Sequence, residues 1–379
     1  MASDLKYAKI KNLLFGLVLL LLLLSWIEQN SHFIRLKPLG GEQAIIEKSP
    51  FTASNWRSGV FQEGQEAHVN QRFGLRPFMV RFYNEIFDRL FDEYQAKGVI
   101  MGKDGFLFEE NYLLAASGRD FLGADSILLL ADKLAFIQQN LAKQHKQLLV
   151  CLAPGKGSFF LDKMPPGYSR KNLDRNHPHF VKALNQRKIP LLDVQTWFLN
   201  LKATTPYPLF PKTGIHWSSY GEYLVADSMI KRVEELAQKP LPQLQLLSIE
   251  QDINPRDRDD DIELGMNLLR DLPDFKMAYP KFRIVPLNAG KTAPKVLVIG
   301  DSFYYGMYNW GMMEHVFVNG EFWYYNHERL IPKMPASNVS ELTNYASKVQ
   351  EFDVIILLIT EANLPRFGFG MIESYLNKK

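Results

Sequence analysis

Three apolar, β-branched runs constrain this chain more than anything else in it: residues 147–153, 295–299 and 353–359. Each is short, apolar on both faces, and set apart from the next by segments with helical periodicity. Strands without polar–apolar alternation are those of a parallel sheet covered by helices on both sides. The spacing predicts helices over 77–94, 126–146, 180–186 and 220–237, the last opened by the N-cap chemistry of Ser218 and Ser219. It also predicts a short strand over 189–193 and a hairpin of 99–101 with 106–108, turned at Lys103-Asp104-Gly105. The helix over 77–94 carries Phe78, Met79, Phe82, Tyr83, Ile86, Phe87, Leu90 and Phe91 at helical spacing and is expected to pack that face on the core. The expected fold class is α/β with a mostly parallel sheet.

The N-terminus has a different character. Lys6, Lys9 and Lys11 precede an uncharged apolar run over 13–27, which Glu28 ends. That is the layout of a signal sequence, yet no small-x-small cleavage site follows the run. The expectation is an uncleaved, single-pass signal anchor over 1–28, with the lysines cytoplasmic and the rest of the chain extracytoplasmic. Residues 29–68 read as a stalk or entry segment, and 69–379 as the folded domain. Within it, 240–293 is polar and proline-punctuated, a surface insertion whose acidic cluster at 257–261 reads as a solvated loop lacking calcium-loop spacing.

Hydrophobic residues make up 46% and aromatic residues 13% of the 379, which supports a packed core rather than disorder. A net charge of +3 gives no nucleic-acid footprint. Cys151, the single cysteine, lies inside an apolar run and reads as a core hydrophobe, so neither an internal disulfide nor a cysteine-based zinc site is expected. His177 and His179 have no partner at metal-ligand spacing, and no metal or other cofactor is expected.

The run at 295–299 leads directly into Gly300-Asp301-Ser302-Phe303. Open α/β sheets hold ligands in the crevice past the carboxyl ends of their strands. A serine there can present its hydroxyl, with its own backbone N–H turned toward a developing oxyanion. Ser302 is therefore the candidate nucleophile. A serine hydroxyl needs a base. His216, on a turn-rich loop before the helix over 220–237, is the candidate, with Trp217 beside it to fix its orientation. Each motif alone also suits a structural turn; the pair points to acyl chemistry.

Several landmarks in order resemble the SGNH-hydrolase-like proteins of bacterial exopolysaccharide O-acetylation, typified by the alginate proteins AlgJ and AlgX. They are Arg72-Phe73-Gly74-Leu75-Arg76, the hairpin Gly102-Lys103-Asp104-Gly105-Phe106-Leu107-Phe108, Pro154-Gly155-Lys156, Gly214-Ile215-His216-Trp217, Gly300-Asp301-Ser302-Phe303, and a late strand running into Glu361. The resemblance spans roughly residues 72–364. It implies an SGNH-like three-layer fold, Ser302 as the residue that accepts an acyl group, and His216 as its base. It further implies an exported polysaccharide as acceptor, a multipass membrane O-acyltransferase as donor partner, and location at the bacterial inner membrane with the main domain periplasmic. One position departs from the pattern: where the family has an aspartate two residues before the histidine, this chain has Gly214. Three outcomes are compatible with that: another acid, with Glu361 the first choice; a Ser–His dyad; or an inactive relative acting as a binding or assembly subunit. Hydrolysis, with water as acceptor, is a further alternative. Lys156, Tyr304, Tyr305 and Asn326 are candidate oxyanion or substrate contacts.

Overall fold

The computed structural model describes residues 2–34, 36–41, 48–91, 94–168 and 174–377; part of the segment expected as a stalk, at 42–47, lies outside them. The chain forms two compact units, residues 98–262 with 273–379, and residues 1–97 with 263–272.

Among the described residues the larger unit has eleven strands: β1 (Val99–Met101), β2 (Leu107–Glu109), β3 (Gln147–Ala153), β4 (Leu191–Asp193), β5 (Gln243–Asp252), β6 (Met277–Val285), β7 (Val296–Gly300), β8 (Glu321–Tyr324), β9 (Glu328–Leu330), β10 (Ser337–Asn338) and β11 (Val354–Thr360). Seven form the central sheet, in the order β10-β9-β8-β7-β11-β3-β4. The five from β8 to β4 run parallel, and β9 and β10 add an antiparallel edge. The three apolar runs lie side by side in the middle, with Ile356 opposite Leu149 on one side and Val298 on the other.

Both sheet faces are covered, which is why these strands show no alternation. On one face Leu148, Val150, Leu297, Ile299, Ile355 and Leu357 pack with Ile127, Leu134, Ile137 and Leu141 of the helix Ala124–Ala142 and with Phe180 and Leu184 of Asn176–Gln186. On the other, the helix Ser219–Ala237 lies against β3 and β11. Each fully buried aliphatic side chain contributes about 1.5–3 kcal/mol. The strands being parallel, the carboxyl ends of β3, β7 and β11 share one edge, and Lys156, Ser302 and Glu361 follow directly from them.

Two expectations about irregular segments change. Residues 240–293 contain the long antiparallel ribbon β5–β6, paired from Gln243↔Val285 to Asp252↔Met277 with an irregularity at Leu246/Ser248. Its β5 strand faces solvent over much of its length, so no apolar run marks it. Part of the 29–68 segment is helical, with Ala53–Ser58 capped by Thr52, whose hydroxyl accepts the Asn55 N–H at 3.0 Å, followed by Val60–Arg72.

In the smaller unit the first helix runs over Ala2–Ser31. Its Tyr7–Ser31 portion, with a mean hydropathy of 2.3, is long and apolar enough to cross a membrane. The helix Arg76–Phe91 forms where periodicity places it, but the opposite way round. Glu85 and Asp88 are buried, whereas Phe78, Met79, Phe82, Tyr83, Leu90 and Phe91 are exposed.

Candidate active site

The turn after β7 is held by the aspartate in front of the serine. Asp301 is fully buried, and its Oδ1 accepts the Phe303 N–H at 3.2 Å. Its Oδ2 accepts from the Thr360 N–H (2.8 Å), the Thr360 hydroxyl (2.7 Å) and the Asn363 amide (2.9 Å). These charge-assisted bonds tie the end of β7 to the end of β11 and consume the carboxylate in doing so. Ser302 then opens a single 3-10 turn, Ser302–Tyr304.

The histidine loop is pinned at both ends. Ser218 caps the helix Ser219–Ala237: its hydroxyl accepts the Gly221 N–H at 3.0 Å and donates to the Pro208 carbonyl at 2.6 Å. Upstream, the Lys156 ammonium donates to the carbonyls of Lys212 (2.7 Å) and Gly214 (2.6 Å). Lys156 is fully enclosed, and burial pushes its ammonium down to about 7 despite nearby carboxylates. The substrate contact expected of Lys156 is therefore absent from its geometry; it fastens the loop that carries His216. Trp217 packs edge-on against Phe303, 5.0 Å between ring centroids, and hydrogen-bonds Glu222, whose carboxyl burial raises to about 8.

On this support His216 Nε2 stands 2.9 Å from Ser302 Oγ, though 86 residues separate them. His216 Nδ1 is bonded to the Asp261 carboxylate, whose other oxygen accepts the Ile215 N–H at 2.8 Å. Burial pushes Asp261 up, but the charge and hydrogen bond of His216, the Ile215 N–H and Arg258 outweigh it, and its carboxyl stays below the usual range. With Nδ1–H given to Asp261, the Nε2 lone pair is left facing the Ser302 hydroxyl.

Asp261 corrects two expectations. The acidic cluster at 257–261 is only in part a solvated loop: Asp257 is exposed, but Asp259 is 1% exposed, Asp261 is half-buried, and the segment lies across the histidine loop. Glu361 does not reach His216. Its Oε1 accepts from the Ser158 hydroxyl (2.8 Å) and the Gln195 amide (2.9 Å), and a Cβ at Gly155 would stand 2.3 Å from its Oε2. Gly214 is explained by the same segment. A Cβ there would lie 2.6 Å from the Asp259 carbonyl oxygen and 2.9 Å from that of Arg258. The space that an aspartate would need at 214 is filled by the backbone that delivers Asp261.

Arg258 was not singled out by sequence. Its Nη2 lies 2.6 Å from His216 Nε2 and 3.0 Å from Nδ1, and its Nη1 donates to the Ser302 carbonyl at 3.1 Å. Both Asp257 (φ 56°) and Arg258 (φ 79°) are left-handed, a conformation that costs a non-glycine residue about 1–2 kcal/mol. Tyr325 is the other addition. Burial and the Asp301 charge raise its hydroxyl, while side-chain hydrogen bonds with Asn363 and Ser302 pull it back.

The remaining candidates pack within the fold. Tyr304 is fully buried against Phe322 and does not face an incoming substrate. Asn326 donates to the Phe369 carbonyl (3.2 Å) and accepts from the Tyr345 hydroxyl (2.6 Å), so its amide is spent on the fold. Tyr305 is half-buried among Tyr308, Phe322 and Tyr324. Among the described residues, no three His, Cys, Asp or Glu side chains converge as metal ligands.

A family model described as the SGNH hydrolase-like domain of the acetyltransferase AlgX matches residues 99–312. The chain is 20% identical over 194 residues to the probable alginate O-acetylase AlgJ of Pseudomonas putida, covering 51% of this chain and 48% of that one. It thus spans about half the length of that curated relative. Among solved structures it resembles the O-acetyltransferase domain of Pseudomonas putida AlgJ, with a TM-score of 0.47 and 16% identity over 71% of this chain and 92% of that one. It also resembles Pseudomonas aeruginosa AlgX, with a TM-score of 0.46 and 12% identity over 74% and 68%. The match over more than half of its length, on an SGNH-like α/β fold with a mostly parallel sheet, places this chain in the AlgX family of SGNH hydrolase-like acetyltransferases.

Proposed function

We propose that this protein is a membrane-anchored, extracytoplasmic O-acetyltransferase that modifies an exported polysaccharide through an acetyl-Ser302 intermediate. The observation that carries the reading is the hydrogen-bonded array Ser302–His216–Asp261 at the carboxyl edge of the sheet. In the first half-reaction Ser302 Oγ attacks the acetyl carbonyl while His216 Nε2 takes its proton. The donor's C–O bond then breaks and His216 returns that proton to the leaving oxygen. In the second half-reaction His216 takes a proton from a sugar hydroxyl, which attacks the acetyl-serine. The bond between the acetyl carbon and Ser302 Oγ breaks, and His216 passes the proton to Ser302 Oγ. Asp261 holds the imidazole in the required tautomer and balances its charge in both halves. The Ser302 N–H and the Tyr325 hydroxyl are the oxyanion donors we assign.

The occupied acid position favours an active enzyme over a binding subunit, since the loss suggested by Gly214 is made good by Asp261. The Tyr7–Ser31 helix supports the anchor. A multipass acyltransferase in the same membrane is the donor partner we expect. The test is Ser302→Ala together with a serine-directed sulfonyl fluoride. Stoichiometric labelling of the wild type at Ser302, and loss of both labelling and polymer acetylation in the variant, is the expected result. Full acetylation by the variant defeats the serine mechanism; labelled wild type that transfers only to water points to a deacetylase.

A further inference from the structure

Apart from Arg89, which is exposed on the outer side and pairs back to Glu85, the helix Arg76–Phe91 has its apolar face outside and its polar face inside. Phe78, Met79, Phe82, Tyr83 and Leu90 fall on one side of the helical wheel and are 44–71% exposed. On the other side every long polar residue is tied to its own unit. Arg81 donates to the carbonyls of Lys37 (2.8 Å) and Pro38 (2.7 Å), and Asn84 to that of Met266 (2.8 Å). Glu85 and Asp88 pair with Arg270, and Glu85 also accepts the Leu269 N–H at 3.2 Å. An inverted helix of this kind is stable only if something other than water covers its outer face, because a contiguous exposed patch of large apolar side chains is otherwise avoided.

Its position says what covers it. A Cβ at Gly74 would lie 2.4 Å from the Ser25 carbonyl oxygen and 2.5 Å from the Gln29 nitrogen, so the two backbones touch there. Ser25 and Glu28 are buried and Leu24 and Ile27 half-buried, whereas residues 7–23 of the apolar helix are exposed. Residues 25–29 are the distal end of the apolar run, the level at which a spanning helix leaves hydrocarbon for the headgroups. Two residues after Gly74 the inverted helix begins. Its outer face is rich in Phe with a Tyr, and Trp26, 64% exposed, stands at the same end of the anchor; aromatic side chains of this sort favour the membrane–water interface.

We propose that the helix Arg76–Phe91 lies in the bilayer interface with Phe78, Met79, Phe82, Tyr83 and Leu90 in lipid. It makes a second membrane attachment beside the anchor. The inference rests on the anchor reading above and goes beyond it: the chain would be held at two places on the lipid surface rather than tethered by one flexible span. The family match begins at residue 99 and does not include this helix.

The test uses the full chain in liposomes, with an environment-sensitive fluorophore on single introduced cysteines; Cys151 is fully buried and does not compete. Val18→Cys reports the anchor, Phe82→Cys and Leu90→Cys the inverted face, and Lys143→Cys an exposed site of the larger unit. The expected result is deep-lipid quenching at 18, blue-shifted emission with shallow spin-labelled lipid quenching at 82 and 90, and neither at 143. Quenching at 18 with water-like emission at 82 and 90 overturns the inference and leaves the anchor standing. Blue-shifted emission at 82 and 90 without lipid quenching means that another copy of the chain covers the face, and overturns it too. No quenching at 18 removes the anchor reading and the inference with it.

Discussion

Replacing Asp261 by asparagine tests the central geometric claim, because the structure dictates which way the new amide must turn. The Ile215 N–H donates to Oδ1 of Asp261, so the carbonyl oxygen of the introduced amide is held on that side. The NH2 group then faces His216 Nδ1, where the carboxylate oxygen stood. A donor at that place forces Nδ1 to accept, which moves the ring proton to Nε2. Nε2 then has no lone pair for the Ser302 hydroxyl 2.9 Å away. A wrong-tautomer histidine in a triad costs about 10⁴-fold in kcat, or ~5.4 kcal/mol of transition-state stabilisation. The assay is kcat/KM on a chromogenic acetyl ester, with thermal melting to show that the variant is folded. Glu361→Gln is the paired control. Its carboxylate bonds Ser158 and Gln195, so the change should cost about 1–3 kcal/mol of stability and leave the rate within about threefold. An Asp261→Asn enzyme within tenfold of wild type, or a Glu361→Gln enzyme as impaired as Asp261→Asn is expected to be, would refute the assignment.

Restoring the family aspartate should harm this chain: in Gly214→Asp the new Cβ meets backbone at 2.6 Å, which should cost about 1–3 kcal/mol of stability and, through a displaced Asp261, about 10²-fold in kcat/KM; an undiminished rate would show that Asp261 is not the acid. Glu222, raised to about 8 from 4.5, holds a proton in the folded state that the unfolded chain lacks, so stability should fall as pH rises from 4.5 to 8, by ~3–5 kcal/mol in all. Glu222→Gln should flatten that slope in denaturant titrations, and an unchanged slope would sink the attribution. Lys156, lowered to about 7 from 10.5, acts in the opposite sense: the unfolded chain binds the extra proton, so stability should rise from pH 7 to 10.5. Lys156→Met should remove that rise and, by loosening the His216 loop, lower kcat more than it alters KM; equal activity of variant and wild type would mean that the loop needs no fastening.

What sequence could and could not reveal follows from what each signal measures. Apolar runs report burial on both faces, so β3, β7 and β11 were legible almost to the residue; the partly solvent-facing ribbon β5–β6 was not. Helical periodicity reports which residues share a face but not which face turns inward, and Arg76–Phe91 was therefore placed correctly and oriented wrongly. The meeting of Ser302 with His216 was legible because both sit on strand-end and helix-start turns with local chemistry of their own. The carboxylate bonded to the histidine was not. It comes from 45 residues beyond His216, on a stretch whose charges look solvated. Its neighbour shows why charge pattern could not pick it out. Burial pushes Asp259 well up, with one carboxylate oxygen bearing no partner, whereas Asp261, two residues on, is held in its charged form by His216. The one signal present was Gly214, read as a departure that another acid, Glu361 first, could make good. A glycine in place of a catalytic aspartate removes a side chain but also opens room for a second backbone, and here the backbone that enters carries the replacement. In relatives with a glycine at this position, the acid should be sought on whichever segment crosses the histidine loop, rather than presumed absent.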